Sequence, residues 1–296
     1  MSRYTIEDET PGELHLHDRG ADTCVQIAPF RGGLIKRLRV RDHDVLYLDE
    51  ATFEDRQKNV RGGIPILFPS PGRLAGDVFS IDGVTGALPQ HGFLRQRELE
   101  VVLRDEEQGR VRLRAAFAAS AAYPWAGEIE LDITLRARVL RIEVSLTNHA
   151  ASPMPYALGF HPYFALAGAD KADLSVSHQA TRAFDNLSKK FVEVPNQLDF
   201  TGSSNGELDL HLLDHPGSSM TMFTGGRPLA TVRASADFGV WVLWALRGKD
   251  FVCVEPWTAP ANALNTGEGV QRVAVGETRR SWIEIEATDL RERATP

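Results

Sequence analysis

Strict alternation of apolar and polar residues is the feature of this chain that most constrains its fold. Residues 130–135 and 140–147 alternate over their whole lengths, with leucine, isoleucine or valine at every second position. A β-strand directs successive side chains to opposite faces, so each run turns one apolar face to a core and one polar face to solvent. Residues 111–115 and 282–286 repeat the pattern. These four runs predict strands of antiparallel sheet.

Turn-forming residues separate such runs, and helical periodicity is nearly absent. Clusters rich in glycine, proline, serine and asparagine occur at 69–72, 201–206 and 224–226. Residues 52–60 are the one segment that suggests a short helix, which Gly62 and Gly63 would end. Many short strands with frequent turns predict an all-β fold, either a sandwich or a barrel. Because no linker or low-complexity tract interrupts the chain, we expect one large antiparallel domain over residues 1–296.

Composition narrows the kinds of partner. The chain has 40 acidic and 33 basic residues, a net charge of −7, which argues against a nucleic-acid binder with a basic face. No stretch approaches the roughly 20 apolar residues of a membrane span, and the N-terminus is polar, so neither a span nor a signal peptide is expected. Cys24 and Cys253 are far apart without a CxxC spacing. We therefore expect a cytoplasmic protein without a cysteine-based zinc site.

Three regions interrupt the alternation and concentrate glycine, proline, histidine and aromatic residues: 61–69 with 88–95, then 159–164, then 252–257. His161 lies among aromatic neighbours, where burial would adjust its pKa and suit a general acid. Glu255 ends an apolar run, and a buried carboxylate is costly without a partner or a task. Taken singly, each has a structural explanation: His161 as a buried histidine bonded to the backbone, His91 as a turn residue, and Glu255 as half of an ion pair.

The strings RGGIPILFP, LPQHGFLR, GFHPYF and VCVEP occur in this order. Together they resemble the aldose 1-epimerase (galactose mutarotase) superfamily, with closest similarity to its hexose-6-phosphate 1-epimerase-like branch. The resemblance extends from about residue 30 to residue 287, and GFHPYF with LPQHGFLR is its most specific part. It implies a large antiparallel β-sandwich of the galactose mutarotase-like type, with a sugar in a cleft across one sheet.

The resemblance also implies roles for individual residues. His161 corresponds to the general acid, Glu255 to the general base, and His91 to a histidine that binds and polarises the sugar near its ring oxygen. Asp209 corresponds to the acid that holds sugar hydroxyls, with Asp214 as a nearby alternative. The other expected substrate-binding residues are Arg61, Arg73, Gln90, Arg95 and Trp257. Further candidates for sugar contacts are Tyr163, Phe68 and Asn262, with core packing as the alternative for the aromatic ones.

Epimerisation at C1 needs a proton acceptor and a proton donor. A base takes the proton of the anomeric hydroxyl while an acid protonates the ring oxygen; the ring opens, rotates about C1–C2, and closes on its other face. We expect the histidine and the carboxylate on opposite sides of the C1–O5 unit. We expect no cofactor and no metal, a small-molecule sugar or sugar phosphate as partner, and a monomer or homodimer.

The choice between a free sugar and a sugar phosphate depends on three arginines. Arg61 and Arg95 match arginines that gather near the phosphate in the phosphosugar-like branch, and arginine suits bidentate phosphate contacts. Arg73 lies in a segment, residues 71–76, that resembles one in the free-aldose branch. In that branch the corresponding arginine contacts the sugar directly. Residues 255–262 depart from the phosphosugar pattern. We therefore expect a free hexose, with hexose 6-phosphate as the alternative.

Three other functions compete with this interpretation. A non-catalytic carbohydrate-binding module would lack the acid or the base, but both are present. A metal site usually draws on ligands that are close together in sequence, such as H-x-H, whereas His91, His161 and Glu255 are far apart. A glycoside hydrolase using Glu255 with Asp209 would leave both histidines unexplained. His15 and His17 alternate on a predicted strand, and we expect them to be two solvated histidines.

Overall fold

The computed structural model describes residues 2–166, 170–203 and 205–289. Most of the regular structure in these residues is β-strand. In chain order the strands are β1 (Tyr4–Glu7), β2 (Leu14–Asp18), β3 (Thr23–Ala28), β4 (Leu34–Val40), β5 (His43–Asp44), β6 (Ile66–Leu67), β7 (Val78–Ile81), β8 (Val84–Ala87), β9 (Glu100–Asp105), β10 (Arg110–Phe117), β11 (Gly127–Arg136), β12 (Val139–Asn148), β13 (Met154–Tyr156), β14 (Gly159–Phe160), β15 (Tyr163–Ala165), β16 (Leu174–Val176), β17 (Arg182–Asp185), β18 (Lys190–Glu193), β19 (Glu207–Leu212), β20 (Ser219–Thr224), β21 (Arg227–Ala234), β22 (Val240–Leu246), β23 (Phe251–Trp257), β24 (Gln271–Val273) and β25 (Thr278–Ala287).

The helices are short. The α-helices are α1 (Glu50–Glu54) and α2 (Ala263–Thr266), and single 3-10 turns occupy Pro29–Arg31, Ala75–Asp77, Leu94–Gln96 and Lys171–Asp173. The expected helix at 52–60 is wrong in its bounds. The helix starts earlier because the side chain of Asp49 caps its first turn, accepting a hydrogen bond from the Thr52 amide at 3.1 Å. No described helix is long and apolar enough to cross a membrane.

Two large antiparallel sheets pack face to face. One has the strand order β16-β20-β21-β25-β12-β11-β10-β9, and the other β18-β17-β19-β22-β23-β14-β6. The four alternating runs lie within β10, β11, β12 and β25 of the first sheet, so these predicted strands are confirmed. Ile133, Ile142 and Ile283 are consecutive cross-strand partners, and all three are fully buried. The expected antiparallel β-sandwich is confirmed.

The core lies between the sheets and is continuous. Side chains such as Ile142 from the first sheet and Leu243 from the second belong to one buried apolar cluster. Burial of each large apolar side chain stabilises the fold by about 1.5–3 kcal/mol. Phe68 is also part of this core: it is fully buried, with its ring 5.6 Å from that of Phe93 and 5.7 Å from that of Phe117. Its suggested role as a sugar contact is therefore wrong, and core packing is its role.

A third sheet with the order β1-β2-β3-β4-β5 carries the N-terminal residues. Leu14 and Leu16 of β2 join the main core, while His15 and His17 project from the opposite face. His15 is only 4% exposed, so the expectation of a solvated histidine is wrong for it. The reason is tertiary: the connection after β1 places Glu9 against the His15 ring.

Candidate active site

The floor of a cavity of about 780 Å³ is formed by three neighbouring strands of the second sheet, β19, β22 and β23. Along each strand, alternate side chains enter the sandwich core and the others face the cavity. Those facing the core include Leu210, Leu212, Trp241, Leu243, Val252 and Val254. Those facing the cavity are Glu207, Asp209, His211, Val242, Trp244, Glu255 and Trp257. The two-residue period that builds the core thus also directs polar groups into the cleft.

Strand register brings the polar groups together. Glu255 on β23 lies opposite Val242 on β22, and Val242 lies opposite His211 on β19. Two residues along β19, Asp209 lies opposite Trp244. The acidic side chains therefore share one face of three adjacent strands, although about 45 residues of sequence separate β19 from the end of β23.

Glu255 is a buried carboxyl group at the cavity floor. It is 1% exposed, and its Oε2 accepts a hydrogen bond from Nε1 of Trp257 at 3.1 Å. Burial raises its pKa well above the ordinary value, and the negative charge of Asp209 raises it further. A carboxyl group with a raised pKa holds a proton more readily than an exposed one, which suits a base that must also return the proton.

His161 lies between β14 and β15, where its amide donates to the Pro65 carbonyl at 3.0 Å. Its ring stacks on Tyr163, with 4.5 Å between centroids and 15° between planes. Nδ1 lies 3.1 Å from Oε1 of Glu255, but without the alignment of a hydrogen bond. Burial, and then the neighbouring His91, lower the pKa of His161 well below its ordinary value. The two groups are side by side, so the expected placement on opposite sides of the sugar is wrong for this geometry.

His91 has a defined tautomer. Its Nδ1 contacts the carbonyl oxygen of Pro71, and a carbonyl only accepts, so Nδ1 carries the proton. Burial lowers the pKa of His91 to about 4. At neutral pH its Nε2 is therefore an unprotonated acceptor. The residue has φ 70°, and its ring lies 5.8 Å from that of His161.

Asp209 and Asp214 were alternatives for holding sugar hydroxyls, and they occupy different environments. Asp209 faces the cavity; its Oδ2 accepts from Asn186 at 2.6 Å, and its Oδ1 lies 3.2 Å from Nε2 of His211. Asp214 accepts from the amides of Thr181 and Arg182, both at 3.0 Å, and does not line the cavity. Of the two, only Asp209 lines the cavity.

Arginines form one wall of the cavity. Arg73 donates to the side chain of Gln90 at 3.1 Å, and Arg95 donates to the Gln90 carbonyl at 3.0 Å. Arg31 is 6% exposed and donates to three backbone carbonyls of the 52–58 segment. Burial and the proximity of Arg31 lower the pKa of Arg95. Within the described residues, Nε of Arg31 and Nε of Arg95 are both buried without a hydrogen-bond partner.

A potential set of metal ligands also occurs at the cavity floor. Ligand atoms of His161, Cys253 and Glu255 lie within 4.8 Å of one another. The set considered from the sequence had His91 in place of Cys253. Burial raises the pKa of the Cys253 thiol well above its ordinary value, so the thiol is protonated at neutral pH.

All nine residues expected in the site line the cavity, as do Tyr163 and Asn262. Sequence reasoning missed several others: Arg31, Lys58, Asn186, Lys189, Glu207, His211 and Trp244. The period of two along β19 was a usable signal for Glu207 and His211, since both share the face of Asp209. No local pattern marks Arg31 or Lys58, which the fold brings in from the N-terminal region.

Comparisons with known proteins identify the family and the fold. The family model described as aldose 1-epimerase matches residues 16–286. The crystal structure of the Slr1438 protein from Synechocystis sp. PCC 6803 is 33% identical, covers 94% of this chain and 96% of that one, and has a TM-score of 0.88. A galactose mutarotase-like protein from Clostridium acetobutylicum is 17% identical with a TM-score of 0.77, covering 97% and 99% of the two chains, and shares the fold. A Cenchrus ciliaris protein named "Putative glucose-6-phosphate 1-epimerase" is 24% identical over 283 residues, 80% of this chain and 76% of that protein. The galactose mutarotase-like type of sandwich is thereby confirmed.

Proposed function

The chain belongs to the aldose 1-epimerase family, and from this premise we propose that it is a single-domain mutarotase that interconverts the α and β anomers of a hexose. The observation that carries the proposal is the buried contact of 3.1 Å between Nδ1 of His161 and Oε1 of Glu255 at the cavity floor. In this proposal a sugar lies against both groups and exchanges a proton with each of them.

The histidine and the carboxyl group share one proton in this proposal. O1 and O5 are bonded to the same carbon, so an acid and a base that are adjacent can reach both oxygens. In ring opening, protonated His161 donates to O5 while ionised Glu255 accepts the proton of O1. This leaves neutral His161 and protonated Glu255, the uncharged form that burial favours. Closure on the other face reverses both transfers, and each group contributes about 10²–10⁴-fold.

His91 binds the sugar as an acceptor. Its unprotonated Nε2 takes a hydrogen bond from a hydroxyl beside the ring oxygen, because a neutral imidazole with its proton on Nδ1 has no second donor. Asp209 accepts from further hydroxyls, and Gln90, Arg73 and Trp257 complete the polar and aromatic surface around the ring.

The test is anomer exchange measured by NMR or polarimetry on glucose, galactose and glucose 6-phosphate in parallel. We expect acceleration above the spontaneous rate, and the same rate after treatment with EDTA. Sugar binding without acceleration would instead support a non-catalytic binding module. Loss of activity in EDTA that Zn²⁺ restores, in Cys24→Ser as well as in the wild type, would support a metal at His161, Cys253 and Glu255.

A hexose 6-phosphate is the second candidate substrate, and one observation favours it. Arg31 and Arg95 are cations at the cavity wall, each with a buried Nε that lacks a partner among the described residues. Buried charge is costly without compensation, so an anionic group on the ligand would stabilise this wall. The name of the Cenchrus ciliaris relative refers to the same class of substrate.

Arg95→Ala distinguishes the two substrates. If Arg95 contacts a phosphate, we expect KM for glucose 6-phosphate to rise by about 10–100-fold, the effect of losing hydrogen bonds between charged groups. KM for glucose should stay within about 3-fold. Steady-state kinetics on both sugars measure the difference, and exposed Arg97→Ala, which does not line the cavity, is the control. Equal losses on both sugars would mean that Arg95 supports the backbone at Gln90 and not a phosphate.

Asp209→Asn is expected to change the pH dependence of kcat/KM. Asp209 raises the pKa of Glu255, so removing its charge lowers that pKa. The pair loses its single proton above the pKa of Glu255, and the alkaline limb should therefore move to lower pH. The rate itself should fall by roughly 10-fold through the lost hydroxyl contact. Asp214→Asn, which lies outside the cavity, should leave the limb in place. If the alkaline side of the kcat/KM profile of Asp209→Asn stayed at the wild-type pH, its assignment to Glu255 would be contradicted.

A further inference from the structure

A second cluster of potential ligands lies on the N-terminal sheet, apart from the cavity. His15, His17 and Cys24 each offer one ligand atom, and these atoms are within 4.8 Å of one another. The carboxylate of Glu9 joins them, with Oε2 2.9 Å from Nδ1 of His15 and Oε1 3.1 Å from Nε2 of His17. Sγ of Cys24 lies 3.9 Å from Nε2 of His17.

The hairpin of β2 and β3 builds this cluster. His17 and Cys24 are directly paired across the two antiparallel strands, and His15 is two residues from His17. All three therefore project from the same face of the sheet, opposite to the face that joins the core. Glu9 lies in the connection between β1 and β2, which crosses that face.

His15 is the observation that points to a ligand. It is 4% exposed, and neither of its ring nitrogens has an aligned hydrogen-bond partner among the described residues. Buried polar side-chain atoms nearly always have one. Glu13, the other nearby carboxylate, lies 4.0 Å from Nε2 and is paired with Lys36 at 2.9 Å.

We propose that Glu9, His15, His17 and Cys24 bind a Zn²⁺ ion. With zinc bonds of about 2.0–2.3 Å, tetrahedral ligand atoms lie roughly 3.3–3.6 Å apart. The contacts of 2.9, 3.1 and 3.9 Å lie on both sides of that spacing, and the carboxylate of Glu9, through its two oxygens, contacts both histidines, so a rearrangement of these side chains would bring the four ligands around one ion. A set of two imidazoles, one thiolate and one carboxylate suits zinc, whereas calcium and magnesium prefer oxygen ligands alone.

The charges around the cluster are compatible with a divalent cation. A thiolate and a carboxylate neutralise the two charges of the ion. Three arginines line the same depression, but each has an acidic partner: Arg19 with Glu7, Arg39 with Asp44 and Arg41 with Asp289. Burial raises the pKa of Cys24 to about 12, so its thiol is protonated without the ion. Formation of the Zn–S bond then releases that proton to solvent.

A zinc ion here has a structural role. Four protein ligands leave no open coordination position, as in structural zinc sites. The ion ties the β1–β2 connection to the β2–β3 hairpin, on a sheet that does not contain the His161–Glu255 pair. The sequence predicts no metal, because epimerisation needs none, because no CxxC spacing is present, and because His15 and His17 are expected to be solvated. The burial of His15 removes the third reason, and the pairing of His17 with Cys24 across the hairpin replaces the missing CxxC spacing.

The test is titration of metal-free full-length protein with Zn²⁺ by calorimetry, and with Co²⁺ as a spectroscopic probe. We expect one ion per chain, a cobalt–thiolate charge-transfer band, and a rise in Tm of about 5 °C at roughly 100-fold excess over Kd. Cys24→Ser should abolish the band, and both Cys24→Ser and His17→Ala should weaken zinc binding by roughly 100-fold. His149→Ala, an exposed histidine elsewhere, should bind zinc as the wild type does.

Two outcomes would overturn the site. One is zinc affinity that is unchanged in Cys24→Ser and His17→Ala, or absent from the wild type. The other is a cobalt band that persists in Cys24→Ser and disappears in Cys253→Ser, which would place the metal at the cavity floor. Anomer exchange is measured separately, so failure of the proposed epimerase function would leave the zinc result intact.

Discussion

Glu255→Gln is expected to slow anomer exchange by about 10²–10⁴-fold while the protein stays folded. Glutamine has nearly the shape of glutamate and retains an oxygen that can accept the bond from Trp257, which is 3.1 Å long in the structure. The glutamine side chain cannot take up or release a proton as a carboxyl group does, so His161 loses its partner in proton transfer to and from the sugar. NMR exchange between anomers measures the rate, and circular dichroism measures the fold.

The matched control is Glu268→Gln, since Glu268 is exposed and outside the cavity. The double variant His161→Ala/Glu255→Gln should be little slower than the slower single variant, because residues that act as a unit have non-additive effects. A wild-type rate in Glu255→Gln would refute the mechanism. Losses that multiply in the double variant would show that the two groups act independently.

Gly92→Ala should lower the free energy of unfolding by about 3–4 kcal/mol, from the left-handed backbone and the overpacking that the methyl group causes. Gly92 has φ 69°, and a Cβ there would lie 2.1 Å from the carbonyl oxygen of Phe68. That oxygen accepts hydrogen bonds from the amides of Phe93 and Leu94, at 3.0 and 3.3 Å. The absence of a side chain at Gly92 therefore allows its backbone to approach that of Phe68. This approach positions the neighbouring His91 at the cavity.

Urea unfolding of Gly83→Ala provides the comparison. Gly83 has φ 77°, but nothing lies within 4 Å of its virtual Cβ, so only the backbone cost of about 1–2 kcal/mol remains. The difference between the two variants isolates the steric clash at Phe68. Equal destabilisation of both would mean that the chain around Gly92 relaxes freely. We also expect kcat/KM to fall in Gly92→Ala alone, because a displaced backbone moves His91.

The strands that the sequence predicted well are those with one face in the core and one in solvent. In β11 and β12, buried and partly exposed residues alternate over nearly ten positions each, and the amino-acid pattern follows. In β23 all seven residues are buried, because one face meets the core and the other is covered by an apolar cluster around Tyr163 and then lines the cavity at Glu255 and Trp257. Its sequence is a continuous apolar run ending at Glu255, which lacks the two-residue period.

Motif resemblance predicted most of the residues that line the candidate site. It did not predict how these residues are arranged in space. GFHPYF and VCVEP identified His161 and Glu255, but the 3.1 Å contact between them depends on the pairing of β14 and β23. Arg31 was missed because nothing near it in sequence distinguishes it from any other arginine. Period two alone also could not tell a solvated His15 from a buried one, since a face turned away from the core can still be covered by a loop.

By itself, the sequence determined the class of fold and the identity of the polar residues that interrupt it. Both are local properties: alternation reports which side chains must leave water, and an unusual string of residues is visible wherever it folds. Only the tertiary structure decided which charges meet, which tautomer His91 adopts, and how deeply His15 is buried. Those properties depend on strand register and on loops crossing a sheet, which arise from contacts between residues far apart in the chain.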